Sequence, residues 1–230
     1  MGSLKSFYAV KVGRQTGIFN TWEECKEQIN GFSGAKFKGF FTKEEAETFL
    51  RGSKQIKCEA YAYTDGSFNE KYRTTGGGGV IYHNGKEYPF IIVANEKDFS
   101  AMQNVGGEIL AAIGAIKYAE ILGINSLHIY HDYEGVGAWA KGEWKANKTA
   151  TKGYVRFIND SDIITEFTRV NAHTGIEENE KADLIAKYSV GLANEIGYNN
   201  IAVIDFKIEQ GKYFFEISQE QTRQTQSLEI

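Results

Sequence analysis

The sequence predicts an α/β protein in two parts: a small three-stranded β-β-α-β-α module, then a mixed five-stranded sheet flanked by helices. Three observations lead there. Short aromatic and β-branched runs alternate with capped helical stretches over the first 50 residues. Residues 60–191 read as three strands in succession, then helix, strand, helix, strand and helix. The composition is globular, with 42% apolar and 24% charged residues and 25 glycines against one proline. That excludes collagenous, proline-rich and disordered chains.

Phe7–Val12 and Gly17–Phe19 are the first strands, with the turn-like Gly13-Arg14-Gln15-Thr16 between them. Thr21 caps a helix over residues 22–29, and Glu24, three residues on, is its capping-box partner. Gly31 stops that helix, residues 35–41 make a third strand, and Thr42 opens a second helix ending near Leu50. Polar, basic residues 51–59 are a linker. A strand over 60–64 then ends at Asp65, and Gly76 to Gly79 lead into a strand at 80–82. Asn84-Gly85 suits a primed hairpin turn, and residues 87–93 return from it. Apolar residues at helical spacing predict a long amphipathic helix from Gly107 to Leu122. A strand at 127–130 runs into Asp132, helical stretches follow from Gly135 and around 154–158, and a strand at 166–170 precedes a helix at 179–190. Residues 192–230 form a C-terminal extension, with strands at 201–208 and 212–217 around Glu209-Gln210-Gly211 and a frayed polar tail. A lone hairpin is marginal in water, so this one must pack on the larger domain or pair with another chain.

No stretch approaches 18 apolar residues, so no membrane span is expected. The first residues lack the apolar core of a secretory signal, and Cys25 and Cys58 read as free thiols in a reducing cytoplasm. Net charge is −4 but unevenly spread. Residues 1–58 hold ten Lys/Arg against six Asp/Glu, and the rest hold sixteen against twenty-four. A small basic module therefore precedes an acidic body, as suits gripping a polyanion ahead of a carboxylate-rich site. Oligomeric state is open, with a monomer the default.

Four acids stand where a sheet can gather them: Asp65 and Asp132 at strand ends, Glu108 and Asp183 in the first turns of helices. Gathered carboxylates repel unless cations neutralise them, and hard oxygen ligands select Mg2+ or Mn2+. Taken singly, each acid reads more readily as a solvated helix or loop residue. Their local sequences resemble the type 1 ribonuclease H family: Thr64-Asp65-Gly66-Ser67, Asn104 to Ala112 around Glu108, Tyr130-His131-Asp132, and Asn171-Ala172-His173-Thr174-Gly175 followed by Glu178 to Asp183. All four stretches come in family order.

The resemblance implies a ribonuclease H-like sheet and an endonuclease cutting the RNA strand of an RNA/DNA hybrid, leaving 5′-phosphate and 3′-hydroxyl ends. Asp65, Glu108, Asp132 and Asp183 would hold two Mg2+ ions, with Mn2+ as substitute. His173 would shuttle protons or help product leave. Glu180, one turn before Asp183, would influence the same site or be a plain surface acid. Asn104 would read the RNA 2′-hydroxyl, with backbone around Gly66 and Ser67 helping, and Asn69 either doing so too or forming a turn. Trp139, Trp144 and Lys145 lie in an aromatic and basic stretch resembling a shortened DNA-gripping protrusion, though helix packing competes for the tryptophans. The pattern departs from the family at Glu134, where many relatives have Gln, and at Gln103, where a Thr is usual.

The first 50 residues resemble the hybrid-binding domain that precedes many type 1 ribonucleases H and occurs in viroplasmin-like proteins. Phe7–Val10, Gly13-Arg14, Gly17–Phe19, Trp22–Cys25 and Phe37-Lys38 carry the likeness. It implies that Trp22 and Phe37 pack on DNA sugars, Lys38 meets a phosphate and Tyr8 supports the same face. A family lysine is Gly39 here. Cys25 reads as a small core residue. Two rivals share the fold: a non-catalytic hybrid binder, opposed by the presence of all four carboxylates, and an integrase- or transposase-like polynucleotidyl transferase, opposed by the His173 loop, Asp183 and the N-terminal module.

Overall fold

The computed structural model describes residues 5–51, 57–171 and 175–221, in two compact units that divide between Lys57 and Cys58. The first unit runs β1 (Phe7–Val12), β2 (Gly17–Phe19), α1 (Trp22–Ile29), β3 (Lys36–Phe40) and α2 (Lys43–Arg51). Its antiparallel sheet has the order β2-β1-β3. The Thr21 hydroxyl accepts from the Glu24 N–H and the Glu24 carboxylate accepts from the Thr21 N–H, both at 3.2 Å, so the expected capping box forms. At the far end of α1 the Arg14 guanidinium donates to the carbonyls of Glu27 and Asn30 at 3.0 and 2.6 Å. These are acceptors that a helix C-terminus leaves open. Cys25 is buried with Ala9, Val10 and Ala46, so it is a core residue.

The second unit runs β4 (Ala60–Asn69), β5 (Thr74–His83), β6 (Lys86–Ala94), α3 (Lys97–Ser100), α4 (Asn104–Ile121), β7 (Ser126–His131), α5 (Glu134–Ala140), α6 (Thr149–Asp160), β8 (Ile164–Arg169), α7 (Glu177–Ser189), β9 (Asn200–Glu209) and β10 (Lys212–Gln221). One mixed sheet takes the order β10-β9-β6-β5-β4-β7-β8. The five expected strands stand side by side, and the C-terminal hairpin extends them to seven. β9 runs parallel to β6, with Phe90 opposite Ala202, and β10 returns antiparallel to β9. Tyr213 and Phe215 pack on Phe157 and Phe206, seating the hairpin on α6 and the sheet.

Two strand boundaries differ from expectation. β4 continues through Asp65 to Asn69, and β5 contains Gly76–Gly79 instead of following them. Asp65 is therefore mid-strand, opposite Gly78. Glycines that read as loop are in fact places where helices come close. A Cβ on Gly66 would lie 2.0 Å from the Glu108 nitrogen, and one on Gly77 2.6 Å from the Gly107 oxygen, both on α4. On Gly76 and Gly78 it would meet Ser189 Oγ at 2.4 Å and Ile185 Cγ2 at 2.6 Å, both on α7. Bare backbone lets α4 and α7 settle on the sheet beside Asp65. The Asn84-Gly85 turn is as expected, a two-residue loop between His83 and Lys86 with φ of +50° and +72°.

The amphipathic expectation for α4 is too modest. It is buried continuously from Gly106 to Ile116, because the sheet covers one side and α3, α5 and α6 pack on it as well. The main core joins Ile81, Phe90 and Ile92 of the sheet to Ile109, Leu110 and Ile113 of α4. A smaller one, Val80, Ile91, Ile185, Ile196 and Ile201, includes α7.

Candidate active site

Asp65 of β4, Glu108 of α4 and Asp132, one residue beyond β7, each offer a carboxylate oxygen within 4.8 Å of the other two. The missing side chain at Gly66 brings the α4 backbone, and Glu108 with it, against β4. Asp65 and Glu108 are only 8% and 6% exposed. Burial raises the Asp65 carboxyl to about 7, with Asp132 adding repulsion; hydrogen bonds from Glu108 and from the Gly66 N–H, the latter 2.7 Å, act the other way. Glu108 is pushed well above the carboxylate range by burial, then by the charges of Asp65 and Asp132. Its Oε2 is buried without a hydrogen-bond partner. An orphaned buried oxygen among three crowded carboxylates fits a hard divalent cation, which would replace the proton and accept that lone pair.

Asp183 stands apart from this trio. It lies on α7, three residues after exposed Glu180, and accepts a 2.6 Å bond from Lys187 one turn on. It is still near enough for its charge to raise Asp65. His173 falls outside the described residues. Asn104 is the first residue of α4, exposed, with its carbonyl beside Gly66. Gln103 before it holds φ at +53°, a left-handed conformation that is costly without glycine. Ser67 is buried next to this point.

One expected substrate contact is corrected, and another is shared with the core. Asn69 is buried at the end of β4, its amide donating to Val190 O at 2.8 Å and its oxygen accepting from the N–H groups of Lys71 and Tyr72. It is a turn former and fastener, held to the fold through both its oxygen and its amide nitrogen. Trp139 is 9% exposed, packed into the core where α5 meets α4 and α6, and still lines the cleft beside Lys145. Trp144 stays 40% exposed, edge-on to Trp139 at 5.7 Å. Exposed Lys145 joins Lys148, Met102, Val105 and Tyr133 in lining a cleft of about 370 Å³.

Sequence reasoning missed two groups around Asp132. Arg169 donates to the Asp132 carbonyl, and buried His131 donates from Nδ1 to the Tyr133 carbonyl at 3.0 Å. Burial lowers His131 to about 4, so it is a neutral structural imidazole. A histidine directly preceding the acid was the only local sign.

In the first unit, Tyr8, Trp22 and Phe37 form one ring cluster, with centroids 5.6 and 5.8 Å apart in succession. Trp22 and Phe37 are 40% and 42% exposed. Phe37 lies opposite Val10 and Gly39 opposite Tyr8, so these positions share a face. A Cβ on Gly39 would press the Tyr8 ring at 3.1 Å. Lys38 alternates to the other face of this edge strand, its Nζ 5.8 Å from the Phe40 ring. It does not share the face of the ring cluster.

The RNase H family model matches residues 58–190. The chain belongs to the ribonuclease H family. A second model, described as the Ribonuclease H1 N-terminal domain, matches residues 6–50. This ribonuclease H is therefore built of a nuclease domain behind a hybrid-binding module. It is 28% identical to Ribonuclease H1 of Homo sapiens, over 79% of this chain and 88% of the human one. It is 56% identical over 45 residues to Ribonuclease H of Saccharomyces cerevisiae, 20% of this chain and 13% of the yeast one. Among solved structures, RNase H1 from Halobacterium salinarum NRC-1 is similar with a TM-score of 0.45 and 21% identity, over 56% of this chain and 96% of that one.

Proposed function

We propose that this chain hydrolyses the RNA strand of RNA/DNA hybrids by two-metal-ion catalysis, leaving 5′-phosphate and 3′-hydroxyl ends. The observation that carries the reading is the convergence of Asp65, Glu108 and Asp132 around an unpartnered buried oxygen. With Asp183 at the rim they would hold Mg2+ or Mn2+. Such ions, when bound, lower the pKa of an attacking water and offset charge on a departing oxygen.

The protein's own groups do the rest. Asp65 and Glu108 give up the protons that crowding makes them retain. Asn104, exposed at the start of α4, donates to and accepts from a ribose 2′-hydroxyl, which DNA lacks. Trp144 and Lys145 meet the DNA strand, through sugar packing and a phosphate contact. His173 moves a proton or product, and Glu180 tunes the site. In the first unit, Trp22 and Phe37 pack on deoxyribose with Tyr8 behind them, and Lys38 reaches a phosphate from the strand edge.

The test is cleavage of labelled RNA in a hybrid with Mg2+, beside RNA/RNA and DNA/DNA duplexes. Metal-dependent cutting confined to the hybrid, with 5′-phosphorylated products, is expected. Binding without cutting would overturn the catalytic reading in favour of a passive hybrid binder.

A further inference from the structure

The turn that carries Asp132 is held by side chains. β7 leaves the ladder at His131, and the next two carbonyls, of Asp132 and Tyr133, accept from Arg169 Nε at 3.1 Å and His131 Nδ1 at 3.0 Å. Arg169 is the last residue of β8, and the N–H of Val170 just beyond it donates to His131 O at 2.8 Å. Another nitrogen of the same guanidinium lies 3.5 Å from Glu134 Oε2. Glu134 is the first residue of α5, where a carboxylate meets the positive end of the helix. One side chain thus joins the end of β8, the Asp132 turn and the start of α5.

Both partners of the ion pair are more than half exposed, at 57% and 60%, so the pair by itself adds little to stability. The bond to the Asp132 carbonyl acts on geometry instead. Asp65 is held by a strand ladder and Glu108 by a helix, but Asp132 lies beyond its strand and is only half-buried. A free turn there would let its carboxylate drift from the other two. Glu134 also brings a further negative charge to this rim, and Arg169 offsets it.

We propose that Arg169 is a positioning residue: its guanidinium fixes the backbone of Asp132, so that the carboxylate stays in register with Asp65 and Glu108, and pairs with Glu134. This rests on reading those three carboxylates as metal ligands.

The experiment is Mn2+ binding to the full chain without substrate, followed by electron paramagnetic resonance of the free ion. Arg169→Met should weaken binding about tenfold, the lower end of what outer partners of metal ligands contribute. The Mg2+ concentration that half-saturates cleavage should rise in parallel, with KM for the hybrid unchanged. Melting in chelator should move by no more than ~2 °C, which separates positioning from general damage. Arg169→Lys should stay weakened, because an ammonium lacks the planar fork that reaches carbonyl and carboxylate together. Glu134→Gln, which keeps the bond to Asp132 but frees the other side of the guanidinium, should weaken Mn2+ binding by less than Arg169→Met. Asp132→Asn is the reference. If it weakens Mn2+ binding and Arg169→Met does not, or if lysine restores binding in full, the positioning role is overturned. If Asp132→Asn itself binds normally, the metal-site reading falls and the role of Arg169 falls with it.

Discussion

The carboxylate cluster of the larger unit and the ring cluster of the smaller one are both built to be completed by something else, in opposite ways. Asp65 and Glu108 are buried beside Asp132, which disfavours their charged forms, and among the described residues no ion pair offsets them. Trp22 and Phe37 leave two-fifths of their surface in water, with the Tyr8 ring tilted against Trp22. The first arrangement carries unfavourable electrostatics that a cation relieves; the second leaves apolar surface that a sugar face covers. Metal and pH should therefore govern the nuclease site, whereas the ring face should respond chiefly to loss of contact area.

The sharpest break of that contrast is Asp132→Asn, which removes a charge from the carboxylate cluster without changing its size. Hybrid cleavage in Mg2+ should fall more than about a hundredfold, beyond what outer-shell groups contribute, while hybrid binding by filter retention is preserved. Wild-type turnover in this variant would mean the cluster is not the catalytic centre.

Next in size is stability without metal. Asp65 rises from 3.8 unfolded to about 7 in the folded chain, so the folded state keeps a proton that the unfolded state has lost between those values. The contribution of Asp65 to stability in chelator should therefore be fully present below about pH 4 and be lost as pH rises through about 7, so Asp65→Asn should flatten the profile over that range. Mg2+ should restore stability by displacing the proton. Glu108→Gln should melt higher than the unaltered chain in chelator at pH 8, by on the order of 2 kcal/mol or about 5 °C, although it is inactive. An unaltered chain whose profile in chelator matches that of Asp65→Asn would show that the folded state does not hold this proton.

The ring face should behave differently. Trp22→Ala should weaken hybrid binding five- to tenfold, about 1–1.4 kcal/mol and the low end of aromatic packing on nucleic acid, with the salt slope unchanged. Lys38→Ala should lower the slope by about one and cost less at physiological salt. Equal losses with equal slopes would show that rings and lysine are not separate contacts.

The smallest effect expected is at Asn104. Asn104→Ala should lose one hydrogen bond, roughly 0.5–1.5 kcal/mol or two- to twelvefold in cleavage efficiency. On a hybrid carrying deoxyribose at the contacted position the mutation should cost much less. Equal losses on both substrates, with melting unchanged, would remove Asn104 from 2′-hydroxyl recognition.

Features governed by near neighbours were legible without the fold: the Thr21–Glu24 box, the Asn84-Gly85 turn, and the order of the acids with the motifs around them. Each depends on chemistry within a few residues, so the chain alone determines it. Tertiary structure decided what depends on distant partners. Asn69 could equally have faced substrate; Val190, far along the chain, takes its amide. Trp139 and Trp144 read alike, and only the packing of α5 buries one and leaves the other out. The C-terminal hairpin was visible, but its parallel seat beside β6 was not, because strand periodicity does not name a partner. Gly66 and Gly76–Gly79 looked like loop, yet they set how closely α4 and α7 approach the sheet. That approach brings Glu108 against Asp65 and sets Asp183 at the rim, since the distance between a helix and a sheet is fixed by side-chain volume between them.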